Sequence, residues 1–171
     1  PSAIKLCKEI IIKEKGNFII HNILAEIYLS LSINLDESIE LLKKSIEIKP
    51  NYFKSLNSMG ICLRNKGRIE ESIEFFEKAI SFKPDFELGF FNIALSYKSL
   101  NNSERAILNY QKALKFKPDF LEALNNLGNI FCENKKYNEA LDLLKKAIEI
   151  KPDFDLAHNN IGIIYNEIGN L

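Results

Sequence analysis

Apolar residues follow a helical period through most of the chain. Phe90, Ile93, Ala94 and Tyr97 recur at i, i+3, i+4 and i+7, which places them on one face of a helix. A second face with the same period follows after a short turn, over residues 106–113. No strand-like alternation is long enough to compete, so the pattern predicts an all-α protein.

A 34-residue period groups these helices into pairs. Pro50, Pro84, Pro118 and Pro152 stand 34 residues apart, each preceded by lysine and followed by Asp or Asn and then by Tyr or Phe. Because proline cannot continue a helix, each one is expected to end a pair, and the Asp or Asn to cap the next helix. A fixed period of this length is typical of a solenoid, whose units bury their apolar faces against their neighbours.

The repeated positions resemble those of the tetratricopeptide repeat, a 34-residue helix–turn–helix unit, over essentially the whole chain. The family's small position, where the two helices of a unit approach closely, falls on Ala25, Gly60, Ala94, Gly128 and Gly162. The resemblance implies a right-handed α-solenoid of stacked repeats with about ten antiparallel helices.

The resemblance also divides the chain, 1–171, which we interpret as a single domain. Four full repeats are expected at 18–52, 53–86, 87–120 and 121–154, between a lone second helix at 1–17 and a lone first helix at 155–171. The first full repeat is one residue longer, and we place the extra residue in the turn near Ile33-Asn34-Leu35. Because a lone helix exposes a face that normally packs on a neighbour, self-association through the incomplete terminal repeats is also expected.

Charge and cysteine usage exclude several classes of function. The 23 Lys and Arg residues balance 23 Asp and Glu residues, so no net charge attracts nucleic acid. No apolar run approaches the length of a membrane span, and no signal peptide is visible. The 3 cysteines are scattered without a C-x-x-C pair, which favours a reducing intracellular compartment, the cytoplasm, over a disulfide framework or zinc site.

Catalysis has little support in the sequence. The 2 histidines, His21 and His158, both occupy the bulky packing position of a first helix. No nucleophile, base and orienting group are placed so that they would converge. We therefore expect a non-enzymatic chain that needs neither a cofactor nor a metal.

The family's first helices line a concave groove, and residues beside their packing positions contact the bound partner. Carried over to this sequence, the groove residues are Lys54, Asn57, Ile61, Arg64, Phe91, Asn92, Leu95, Lys98, Asn125, Asn126, Asn129, Asn159, Asn160 and Ile163. Amides recur among them, and an amide offers donors and acceptors to a peptide main chain. We expect Asn92, Asn126 and Asn160 to project from one side of successive first helices and to bind a peptide there.

These residues predict a protein–protein interaction scaffold that holds a peptide or helix of a partner protein in its groove. The amide strip is similar to the repeat region of O-linked N-acetylglucosamine transferases. Two alternatives therefore stay open: a substrate-presenting arm of a larger enzyme, such as a protein O-glycosyltransferase, and a structural spacer in a large assembly. Members of the family that hold the C-terminal carboxylate of chaperones use paired basic residues on adjacent first helices. The comparable positions here hold Asn57 with Ile61, Asn92, and Glu122 with Asn126, so we do not expect a carboxylate clamp.

Overall fold

Ten helices and no strand make up residues 2–169, the part of the chain that this computed structural model describes. Pro1, Asn170 and Leu171, at the outer ends of the predicted terminal segments, lie outside it. The prediction of an all-α helical-repeat solenoid is confirmed, while the division into numbered repeats stays a prediction. The helices are α1 (Ser2–Lys13), α2 (Phe18–Ser30), α3 (Leu35–Ile48), α4 (Phe53–Asn65), α5 (Ile69–Phe82), α6 (Glu87–Ser99), α7 (Ser103–Phe116), α8 (Leu121–Glu133), α9 (Tyr137–Ile150) and α10 (Asp155–Gly169).

Short turns with a left-handed residue join the two helices of each pair. Three of these turns have three residues, and their left-handed residues are Gly67, Asn101 and Lys135, with φ of 77°, 56° and 59°. The turn after α2 has four residues and two left-handed ones, Ser32 and Asn34. The extra residue of the sequence therefore lies in the turn that was expected to hold it.

The Lys-Pro-Asx-aromatic segments form the connections between pairs. In each, the main-chain N–H of the aromatic residue donates to the lysine carbonyl, as from Phe86 to Lys83 at 3.1 Å. The prediction that the Asp or Asn caps the following helix is wrong, because the N-cap residues are Tyr52, Phe86 and Phe120. Proline followed by Asp or Asn suits the middle of a tight turn, so the helix begins one residue later than predicted.

Small residues allow the two helices of a pair to approach closely. A Cβ atom added at Gly60 would lie 2.5 Å from Cε1 of Phe76, and one at Gly128 would lie 3.1 Å from Cγ of Leu144. Ala25 and Ala94 occupy the same place in other pairs and are wholly buried. The predicted close contact is therefore present, and it is tightest at Gly60.

The even-numbered helices form an inner layer. Contacts join α2 to α4, α4 to α6, and α8 to α10, whereas successive odd-numbered helices make no extensive contact with each other in residues 2–169. Where the helices of one layer lie closer together than those of the other, the stack curves toward the closer layer. The even-numbered helices therefore lie on the concave side. None of the described helices combines the length and apolar character that crossing a membrane requires.

Apolar side chains are exposed on both terminal helices. Leu6 and Ile12 on α1 are 57% and 73% exposed, and Tyr165 and Ile168 on α10 are 55% and 41% exposed. Self-association through these helices stays a prediction.

The close approach at Gly60 can be tested by adding one methyl group. Gly60→Ala is expected to lower the free energy of unfolding by about 1–3 kcal/mol, because the methyl group would overlap the Phe76 ring. Gly162→Ala is the matched control, since no described atom lies within 4 Å of its added Cβ. The control is expected to stabilise the chain by about 0.4–1 kcal/mol through its effect on the unfolded state. Urea unfolding measures both, and equal effects of the two variants would contradict the packing at Gly60.

Candidate functional site

All the predicted groove residues lie on the inner-layer helices α4, α6, α8 and α10, but their exposure differs. Asn57, Asn92 and Asn125 are buried. They offer a partner little surface, and their role as contact residues stays a prediction. The remaining residues are half-buried or exposed: Lys54, Ile61, Arg64, Phe91, Leu95, Lys98, Asn126, Asn129, Asn159, Asn160 and Ile163.

One accessible residue recurs at the same place on each of these helices. Ile61, Leu95, Asn129 and Ile163 stand 34 residues apart, and we call them the inner row. The first three are half-buried, and Ile163 is 54% exposed. The inner row therefore offers apolar surface on three of four successive inner helices.

Four of the asparagine side chains form hydrogen-bonded pairs between neighbouring inner helices. Nδ2 of Asn92 donates to Oδ1 of Asn57 at 2.9 Å, and Nδ2 of Asn160 donates to Oδ1 of Asn125 at 2.7 Å. We call these the amide pairs. Asn92 and Asn160 were expected to project toward a ligand, and the structure instead shows each of them bonded to an amide of the preceding inner helix.

An aromatic residue interrupts this series between α6 and α8. Phe91 stands 34 residues after Asn57 and 34 before Asn125, so it occupies the place of the accepting amide. Its ring centroid lies 4.7 Å from that of Phe120 and 5.7 Å from that of Tyr110. Phe91 therefore packs against α7 and against the residue that precedes α8, whereas the equivalent amides bond to the next inner helix.

Polar groups beside Phe91 lack the partners that their counterparts have. Asn126 corresponds to the donors Asn92 and Asn160, but it has no amide opposite it. The hydroxyl of Tyr110 is buried and makes no hydrogen bond with any described residue. Burial raises its pKa, and the nearby Arg64 and Asn126 oppose that rise without giving a hydrogen bond of normal geometry.

Arg64 reaches from α4 to α6 and joins one of the amide pairs. Its Nη1 donates to Oδ1 of Asn92 at 3.1 Å and to the Asn92 main-chain carbonyl at 3.3 Å. Its guanidinium carbon lies 5.7 Å from the centroid of the Phe76 ring. Burial lowers the pKa of Arg64, whereas the nearby Tyr110 raises it. Among residues 2–169, no carboxylate forms an ion pair with Arg64, so its charge is balanced only by neutral acceptors.

Acidic side chains lie farther along the inner layer. Glu133 on α8 is 3.7 Å from Nζ of Lys98 on α6. A cavity of about 200 Å³ beside it is lined by Asn129, Cys132, Glu133, Asn160 and Ile163. Burial and the nearby carboxylates of Glu167 and Glu133 raise the pKa of the Cys132 thiol, which disfavours the thiolate form.

The two histidines lie far apart in the chain and serve local contacts. His21 is buried, and its Nδ1 lies 2.8 Å from the Asn17 carbonyl. His158 is exposed, with Nε2 2.8 Å from the Pro152 carbonyl. Within the described range, no group of three or more His, Cys, Asp or Glu side chains is placed to hold a metal ion.

Profiles of a known repeat match more than half of the chain. The profile described as a tetratricopeptide repeat matches residues 53–86, and the profile described as a TPR repeat matches residues 95–133 and 128–169. A sequence comparison with curated proteins finds no match.

Solved structures of low sequence identity are similar in fold. The crystal structure of MamA has a TM-score of 0.76 at 21% identity, over 87% of this chain and 86% of that one. YrrB, described as a TPR protein with an unusual peptide-binding site, has a TM-score of 0.74 at 20% identity, over 96% and 84%. The crystal structure of the APC/C hetero-tetramer Cut9–Hcn1 has a TM-score of 0.80 at 17% identity, over 87% of this chain and 30% of the matched chain. At these identities the similarity extends to the solenoid fold alone.

The structural role of the amide pairs can be separated from ligand contact. Asn92→Ala is expected to lower the free energy of unfolding by about 1–3 kcal/mol, because it leaves the buried Asn57 oxygen and Nη1 of Arg64 without their side-chain partner. Asn126→Ala is the control, and its half-buried side chain has no amide partner, so a change within about 0.5 kcal/mol is expected. Urea unfolding measures both, and an unchanged stability of Asn92→Ala would contradict the amide pairing.

Proposed function

Because the chain belongs to the tetratricopeptide repeat family, we propose that its inner layer holds an extended peptide or a helix of a partner protein. Repeats of this family generally act as non-catalytic scaffolds for protein interaction. The observation that carries the proposal is the inner row, which keeps apolar side chains accessible on α4, α6 and α10. The substrate-presenting arm and the structural spacer stay predictions.

Burial of the inner row supplies a driving force for binding. A fully buried aliphatic side chain contributes about 1.5–3 kcal/mol, and Ile163 still has about half of its surface to bury. The description of YrrB as a peptide-binding TPR protein supports the same kind of ligand for a related fold.

The spacing of the inner helices constrains the ligand. Packed helices lie about 8–10 Å apart, and an extended strand advances about 3.3 Å per residue. An extended peptide would therefore place roughly every third residue over successive positions of the inner row. A helical ligand advances about 1.5 Å per residue and would contact the same positions at roughly every sixth or seventh residue.

The proposal is tested with a displayed library of random 12-residue peptides, selected on the chain and measured by fluorescence polarisation. The double variant Ile61→Ser/Ile163→Ser is expected to bind the enriched peptides about ten-fold to a hundred-fold more weakly than the parent chain does, because apolar contact is lost. The matched control, Phe82→Ser/Leu108→Ser, removes apolar side chains that are 54% and 51% exposed on the outer helices α5 and α7. It is expected to bind as the parent does, and an equal loss in both variants would refute a site on the inner layer.

A further inference from the structure

Arg64 carries a positive charge that the described chain does not neutralise. A guanidinium has five N–H donors, and Nη1 alone accounts for both hydrogen bonds that Arg64 makes. Nε and Nη2 have no acceptor among residues 2–169. These two nitrogens form the edge of the guanidinium that binds a carboxylate through two parallel hydrogen bonds.

Arg68 shows the same edge with its acceptor in place. Its Nε and Nη2 donate to the two carboxylate oxygens of Glu71, at 2.6 and 2.5 Å. Arg68 is exposed, whereas Arg64 is half-buried and has lost more of its hydration. The unsatisfied guanidinium edge is therefore found at the residue for which an unbalanced charge is more costly.

The groups around Arg64 favour an anion as the ligand. Asn126 has no amide partner and lies beside the buried Tyr110 hydroxyl, which makes no hydrogen bond of normal geometry, so the Tyr110 O–H is a donor without an acceptor. The Asn92 oxygens already accept from Nη1. Glu133, an acidic residue farther along the inner layer on α8, is paired with Lys98. Unsatisfied donors thus outnumber acceptors here, where Phe91 interrupts the amide pairs.

Arg64 also lies where a ligand of the inner layer would pass. It follows Ile61 by three residues on α4, so the two side chains share one face of the helix. A peptide that covers Ile61 would bring its neighbouring side chains to the guanidinium.

We propose that the Nε/Nη2 edge of Arg64 binds the carboxylate of an Asp or Glu side chain in the partner peptide, so that the inner layer selects acidic peptides. This inference rests on the proposed function, because it assumes that a peptide lies along the inner row. The Arg64 site would supply one charged contact in addition to the apolar contacts that the inner row provides on several helices.

The test is a double-mutant cycle with C-terminally amidated 12-residue peptides from the random library. Selection on the parent chain is expected to enrich an acidic residue at one position, beside apolar ones. Changing that Glu to Gln is expected to weaken binding by roughly ten-fold to a hundred-fold on the parent, and by less than two-fold on Arg64→Met. Arg64→Lys keeps the charge without the two-pronged edge, and it is expected to recover only part of the preference.

Three controls make the outcome decisive. Arg105→Met removes a guanidinium on the outer helix α7 and should leave the acidic preference unchanged. Circular dichroism melts establish that the Arg64 variants are folded. The same peptides with a free C-terminal carboxylate should bind with equal affinity, and a requirement for that terminus would overturn the assignment to a side chain.

The two proposals can fail separately. Apolar peptides enriched without an acidic residue would overturn the Arg64 site and leave the peptide groove standing. A second measurement needs no peptide groove: the NMR signal of the Arg64 Nε–H is followed during titration with N-acetyl-glutamate methylamide and with its glutamine analogue. A shift with the glutamate compound alone supports the carboxylate site even if the library enriches nothing. No shift, together with no acidic enrichment, overturns it.

Discussion

Contact between neighbouring inner helices constrains both the stability of this solenoid and the chemistry of its concave face. At the α2–α4, α4–α6 and α8–α10 junctions the inner helices pack with polar side chains that are removed from water, and a buried polar group without a partner is costly. Between α2 and α4 the requirement is met by Ser55, which donates to Oδ1 of Asn22 at 3.0 Å and lies 2.7 Å from the hydroxyl of Ser45. Between α4 and α6, and between α8 and α10, the amide pairs meet it. Interior polar groups thus link the inner helices at these three junctions.

Between α6 and α8 the described residues form no amide pair. Phe91 packs against Phe120 and Tyr110, so apolar burial replaces the amide hydrogen bond. The consequence is a set of polar groups left without their usual partners, namely the Tyr110 hydroxyl and the Asn126 amide.

The fold could be predicted from the sequence because its determinants are local and repeated. Pro50 and its three counterparts end helices wherever they occur, and the small residue at Gly60 marks a contact that every pair must make. The helix caps were mispredicted because Asp and Asn suit both a cap and a tight turn, and the preceding proline decides for the turn. The 34-residue period reveals which residues are equivalent, but it does not reveal which residues touch.

This distinction explains why the amide pairs were missed. Asn57 and Asn92 are 35 residues apart, as are Asn125 and Asn160, which is one residue more than the period. Each pair therefore joins two different positions of the repeat, not the same position in two successive repeats. Alignment by the period places Asn92 beside Asn126 and suggests a row of amides facing outward. The signal in the sequence is that Asn recurs at two adjacent positions of the repeat. Once the one-residue offset is known, this recurrence indicates that the amides pair across the interface between inner helices.

The pairing changes what kind of ligand recognition the concave face can provide. Exposed amides would bind a peptide main chain and so tolerate many sequences, but Asn57, Asn92 and Asn125 are already bonded inside the stack. What the face still presents is the apolar inner row and the open edge of Arg64. Apolar contacts depend on which side chains the ligand carries, and a guanidinium distinguishes a carboxylate from its amide. Under the two proposals, recognition by this solenoid depends on the ligand's side chains, and Arg64, which connects α4 to α6, supplies the preference for an acidic one.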